Sequence, residues 1–98
     1  MKIEILRKKD VVFISIEGDI EISFIKEFKS QLIDIGQKED TDIEIDLSNV
    51  NYIDSSGIGV LVLLYKIQKQ KGKSIKLVDV SPKVVGILEL CYLSDLLQ

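Results

Sequence analysis

Between Ile43 and Val80 the apolar residues change period twice, and few folds accommodate that pattern. Ile43, Ile45 and Leu47 alternate with Glu44 and Asp46, as in a strand with one buried face. From Ser56 through Lys71 the chain reads as a helix, with Gly72 at the position that closes it. The first half of this helix is apolar almost all round and reads as buried; the second half is rich in Lys and Gln and reads as solvated. Ile75 to Val80 is the next strand. Such strand, helix, strand passages favour right-handed parallel crossovers within one sheet.

The flanking segments extend the pattern. Ile3 and Ile5 alternate with charged residues, Lys8-Lys9-Asp10 breaks the run, and Val11 to Glu17 is rich in β-branched residues, which predicts an antiparallel hairpin. Gly18 ends that second strand, and Asp19-Ile20-Glu21 forms an acidic loop. Phe24, Ile25, Phe28, Leu32 and Ile35 then recur at helical spacing, with Ser23 as N-cap, Glu27 in the first turn and Gly36 as the left-handed residue after the helix. Ser81 as N-cap and Pro82 at the first helical position predict a third helix through Val84, Val85, Leu88 and Leu90. The tail from Cys91 to Gln98, with Leu93, Leu96 and Leu97, is expected to pack on the core, as are Phe24, Phe28 and Ile58. The expected fold is ββαβαβα: an α/β single domain over residues 1–98, with a mixed β-sheet and helices mainly on one face.

Composition removes several function classes. Without histidine there is no Ser-His-Asp triad, no imidazole base and no ordinary zinc site, so the sequence predicts neither an enzyme, a metal centre nor a cofactor. The single cysteine, Cys91, reads as a small buried hydrophobe. Thirteen Lys and Arg against 16 Asp and Glu give a net charge of −3, and Arg7 is the only arginine, which argues against direct nucleic-acid binding. The N-terminus lacks the apolar stretch of a signal peptide, and the longest apolar run, Val60 to Tyr65, is too short for a membrane span. A cytoplasmic protein is expected.

Asp54-Ser55-Ser56-Gly57-Ile58-Gly59 joins a buried strand to the apolar helix, and its hydroxyls sit where backbone N–H groups are unpaired and the helix dipole favours anions. Two readings stay open on helix physics alone. Ser55 or Ser56 caps the helix while Gly57 and Gly59 allow close approach to the sheet, or the same turn carries a phosphate. A dinucleotide fingerprint fails because Val62 stands where its third glycine belongs, and a phosphate-binding loop lacks its lysine. A serine nucleophile lacks a base, since Lys66 and Lys69 fall well beyond the first turn.

Ile45-Asp46-Leu47-Ser48-Asn49-Val50, Tyr52 to Leu61, Tyr65-Lys66 and Gly72 together resemble the STAS domain of bacterial anti-sigma-factor antagonists. Gly18-Asp19-Ile20-Glu21 is similar to that family's first acidic loop, and Val78 to Pro82 to its later strand-to-helix joint. The resemblance covers nearly the whole chain and implies a STAS-like fold acting as a partner switch. In that family the serine after the aspartate is phosphorylated by an anti-sigma factor that is also a serine kinase, and a metal-dependent serine phosphatase reverses the step. The unphosphorylated form binds the anti-sigma factor. The resemblance thus implies phosphorylation at Ser55, with Asp54, Ser56 and Gly57 as its neighbours and Asp19 and Glu21 as a partner-binding acidic loop. It equally covers an adaptor subunit of a membrane transporter or signalling assembly with an unmodified serine; a small enzyme or nucleotide-binding domain is the reading from another class. The chain departs from the family pattern at Cys91-Tyr92, where many members have glycine, and its last residue, Gln98, falls short of a final strand and helix often present.

Overall fold

The computed structural model describes residues 1–90. Four strands, β1 (Lys2–Arg7), β2 (Val11–Glu17), β3 (Asp42–Asn49) and β4 (Ile75–Val78), lie side by side in chain order. The β1/β2 pair is antiparallel, and β2/β3 and β3/β4 are parallel. The helices α1 (Ile25–Lys38), α2 (Ser55–Gln70) and α3 (Pro82–Leu90) follow β2, β3 and β4.

The register explains the one-sided burial. Ile5, Ile14, Ile45 and Leu77 form a row across all four strands, and their neighbours Leu6, Phe13, Glu44 and Lys76 form the adjacent row on the opposite face. The first kind of row is covered: Val12, Ile14, Ile43, Ile45 and Leu77 are fully buried, in one cluster with Phe28 and Leu32 of α1, Leu61 and Leu64 of α2, and Val84 and Leu88 of α3. The helices thus bury one face of the mixed sheet, as expected from the sequence.

Local differences from the sequence reading have identifiable causes. A 3₁₀ turn, Ile22–Phe24, precedes α1; the Ser23 hydroxyl donates to the Glu21 carboxylate (3.2 Å) instead of capping a helix. That turn leaves Phe24 39% exposed, so only Phe28 of the two phenylalanines is core. Gly36 does not stop α1. It is buried where α1 crosses α2, and a Cβ there would stand 2.7 Å from Leu64 Cδ1, so the close helix approach is what requires glycine. The end of α1 is held by Lys71, whose Nζ donates to the carbonyls of Gly36 (2.5 Å) and Glu39 (2.6 Å). Arg7 of β1 grips the Glu39 carboxylate with Nε and a terminal nitrogen at 2.7–3.1 Å.

The second half of α2 is not wholly solvated. Gln68 falls on the same helical face as Leu61 and Leu64 and is fully buried; its Nε2 donates to the carbonyls of Thr41 (2.8 Å) and Ser74 (2.9 Å). These carbonyls lie just before β3 and β4, so one side chain fixes where both strands begin. Gly72, at φ +71°, closes α2 with its N–H on the Lys69 carbonyl and the Lys73 N–H on that of Gln68. β4 ends at Val78, short of Val80, because Asp79 turns the chain at φ +53°. Ser81 accepts from the Val84 N–H at 3.5 Å and donates to the Val50 carbonyl at 3.1 Å, in the capping place expected of it. The expectations for Cys91, Tyr92, Leu93, Leu96 and Leu97 lie outside the described residues.

Candidate functional site

Two loops leave the sheet at the C-terminal ends of the parallel strands β2 and β3, and the chain ties them together. Gly18 turns the first loop at φ +101°, and its N–H donates to the Asn49 carbonyl at 3.1 Å. The Ile20 N–H donates to the Tyr52 carbonyl (2.9 Å) and the Asp54 N–H to the Ile20 carbonyl (3.0 Å), so Ile20 and Ile53 form a parallel bridge. Both isoleucines are buried, which anchors the loops in the core. Asp19 is exposed and Glu21 half-buried on either side of this anchor, beside the start of α2.

The cap of α2 is Asp54, not a serine. Its backbone is extended, and Oδ1 accepts from the N–H groups of Ser56 (3.0 Å) and Gly57 (3.1 Å) and from the Ser56 hydroxyl (2.5 Å). Oδ2 accepts the Ile22 N–H at 2.9 Å, which fastens the 3₁₀ turn to the same carboxylate. A carboxylate at this position reaches two orphan amides at once and complements the helix dipole, which a serine hydroxyl does less well. The Ser56 hydroxyl bond, followed by the backbone N–H bonds, outweighs desolvation and holds the Asp54 carboxyl below its ordinary value.

This division separates the two serines. The Ser56 hydroxyl is committed to Asp54 and half-buried. Ser55, the first residue of α2, is exposed, and its hydroxyl has no hydrogen-bond partner among the described residues. Gly57 is buried, and a Cβ there would stand 2.6 Å from Ile20 Cγ2 and 2.8 Å from Ile53 Cγ1, so glycine lets the first turn of α2 sit against the bridged loops. Gly59 does not do this: a Cβ on it meets nothing within 4 Å among the described residues.

The structure therefore brings Asp54, Ser55, Ser56 and Gly57 to one helix end with the Asp19–Glu21 loop stitched beside them. It also shows what periodicity did not reveal: Ile22 is 68% exposed on the 3₁₀ turn, and Tyr52 is exposed on the second loop. The broken helical pattern before Ile25 was the available signal. Ser55 Oγ is accessible to an external group donor, while Asp54, the adjacent carboxylate, is engaged by backbone donors. Among the described residues no three His, Cys, Asp or Glu side chains converge as metal ligands, and no helix is long and apolar enough to cross a membrane.

Replacing Asp54 by alanine is expected to lower stability by about 1–2 kcal/mol at pH 7, the range for a lost N-cap. Because the folded-state pKa lies below the unfolded one, the contribution of Asp54 is present above the ordinary carboxylate range and is lost as pH falls through the depressed value. Urea unfolding of wild type and variant at pH 7 and near pH 3 should show the gap between them narrowing in acid. A gap that widens would contradict the capping role.

A family model described as "Mlab, STAS domain" matches residues 4–98. The anti-sigma-B factor antagonist of Staphylococcus epidermidis is 26% identical over 98 residues, which is all of this chain and 91% of the relative. The structure of the anti-sigma factor antagonist SpoIIAA in its unphosphorylated form superposes with a TM-score of 0.88 over 99% of this chain and 86% of that one, at 14% identity. The phosphorylated form of the Bacillus cell fate determinant SpoIIAA gives 0.80 over 99% and 89%, at 13% identity.

Proposed function

Since this chain belongs to the STAS domain family, we propose that it is an anti-sigma-factor antagonist acting in the cytoplasm, a regulatory binding protein rather than an enzyme, with residues 1–98 working as one domain. The unmodified protein binds an anti-sigma factor that is also a serine kinase; phosphorylation of Ser55 ends the binding, and a metal-dependent serine phosphatase restores it. Asp19 and Glu21 belong to the partner surface. The observation that carries this reading is the contrast between the free, exposed Ser55 hydroxyl and the committed Ser56 hydroxyl one residue on. A kinase meeting this helix end finds one acceptor. The relatives named as anti-sigma-B factor antagonists support the partner class.

The physics of the site agrees. A phosphoserine carries about −1.5 to −2 charges at pH 7, and the N-terminus of α2 tolerates an anion without refolding. The change is then one of surface charge and bulk, placed beside Asp19 and Glu21.

Intact-mass measurement after incubation with ATP and lysate of the source organism tests the proposal. Wild type and Ser56→Ala are expected to gain one phosphate and Ser55→Ala none. If wild type gains none while a family kinase in the same lysate is demonstrably active, the switch is refuted and the adaptor reading takes its place.

A further inference from the structure

β1 is an edge of the sheet, and its outer side pairs with no strand among the described residues. The hairpin fixes which groups face that side. Lys8 and Val11 exchange both backbone bonds, at 2.9 and 3.4 Å, and such pairs alternate along an antiparallel ladder, so Lys2, Glu4 and Leu6 also turn their N–H and C=O groups to β2. Ile3, Ile5 and Arg7 turn theirs outward. Natural sheets blunt an open edge with a proline, a bulge or charges that repel another strand. This edge has no proline, its six residues pair one to one with β2, and its charges are of both signs. It also leaves apolar surface uncovered, since Met1, Ile3 and Ile5 pack on the core but stay only half-buried.

We propose that a second copy of this chain occupies the edge, its β1 antiparallel to the first across a two-fold axis at Ile3. The inference stands apart from the antagonist reading. Charge selects the register. With the axis at Ile3, Lys2 of each copy opposes Glu4 of the other on the open face, two attractive pairs that take the place of the exposed Lys2–Glu4 contact (3.4 Å) within one chain. Moving the axis to Lys2 or Glu4 sets that residue against itself, and moving it to Ile5 sets Lys2 against Lys8. An axis at Leu6 calls on Lys8, which lies beyond the strand with its ammonium over the Phe13 ring at 5.6 Å. In the Ile3 register the outward backbone groups of Ile3 bond those of the other Ile3, and those of Ile5 bond Met1. On the helix side Ile3 then meets Ile3, and Met1 meets Ile5, so the half-buried apolar residues of both copies cover one another. The pairing makes one sheet of eight strands with all helices on one face. Strand direction reverses across the axis, so the two Ser55 ends point opposite ways and each copy meets its own partner molecule.

Sedimentation equilibrium on the whole chain, with thermal melts in parallel, tests the pairing. Wild type is expected to dimerise with a Kd on the order of 0.1 mM, in keeping with a small interface. Lys2→Glu and Glu4→Lys each set like charges against each other twice and should weaken the dimer by about tenfold or more. Their melting temperatures should match wild type, because both side chains are exposed. An equimolar mixture of the two variants should dimerise at least as well as wild type, since every opposed pair is then of opposite sign. Exchange of the Ile3 and Ile5 amide protons should slow as wild-type concentration rises. A wild type that stays monomeric at about 1 mM overturns the proposal. Dimerisation that Lys2→Glu leaves unchanged, or a mixture of the two variants that stays monomeric, also overturns it, because the contact then lies elsewhere.

Discussion

Ser55→Asp is expected to weaken anti-sigma-factor binding by about 30- to 100-fold, corresponding to roughly 2–3 kcal/mol, while Ser55→Ala stays within about twofold of wild type. The asymmetry follows from where the hydroxyl stands. It makes no hydrogen bond among the described residues, so its removal breaks nothing in the fold. A carboxylate in its place adds a negative charge at the helix end to which the Asp19–Glu21 loop is tied through Asp54, the surface proposed to meet the partner. Misfolding is excluded as the cause, since an acid in the first turn of a helix is stabilising by about 0.3–1 kcal/mol. Ser55→Asp should therefore melt at or slightly above the wild-type temperature while binding worse. Titration calorimetry on both variants, with thermal melts in parallel, checks this; equal affinities for Asp and Ala would refute the electrostatic account. Glutamate at the same position should behave as aspartate does.

At the far end of the same helix, Gln68→Ala should be among the more destabilising single changes in the chain, at about 2–3 kcal/mol, because it opens a cavity, leaves the Thr41 carbonyl without the Gln68 donor and takes from the Ser74 carbonyl one of its two donors, the Ile43 N–H remaining. Gln68 is fully buried and bonds the carbonyls of Thr41 and Ser74, the residues just before β3 and β4. Gln68→Met keeps most of the volume and removes the bonds, so it should lose about 2 kcal/mol and separate the two contributions. For a domain of this size a loss of 2–3 kcal/mol lowers the melting temperature by roughly 10–20 °C. Denaturant unfolding of the two variants measures both. If Gln68→Met were neutral, the amide would be filling space and nothing more.

Much of the fold can be read from the chain without coordinates. Period-2 stretches mark β1, β2 and β3 because each strand buries only one face. Gly72 and Ser81-Pro82 lie where helix-terminal chemistry puts them. Gly36 misleads because glycine in a sequence signals a stop, whereas its reason here is the approach of Leu64, sixty-four being a position on another helix. Gln68 misleads by residue type: polarity suggests solvent, although its spacing from Leu61 and Leu64 places it on the core face. At the site, the residues that matter are adjacent in sequence and so were legible as a group. Their roles were not. Asp54 and the two serines are all good capping residues by type, so the sequence does not say which of three neighbours takes the cap, and the second bond of the Asp54 carboxylate, from the Ile22 N–H 32 residues away, leaves no local pattern.

The two ends of α2 stand about 24 Å apart at 1.5 Å per residue over its 16 residues, and they carry different burdens. Gln68 and Lys71 bind strands and helix together at one end, while Ser55 and Gly59 at the other touch little of their own protein. Substitutions at Ser55 and Gly59 therefore have little effect on folding, so long as Asp54 and Gly57 between and beside them are kept. A change of residue at these two exposed positions thus leaves intact the bonds at the far end that set where β3 and β4 begin, so the surface of this helix end and the stability of the scaffold are separable in the sequence.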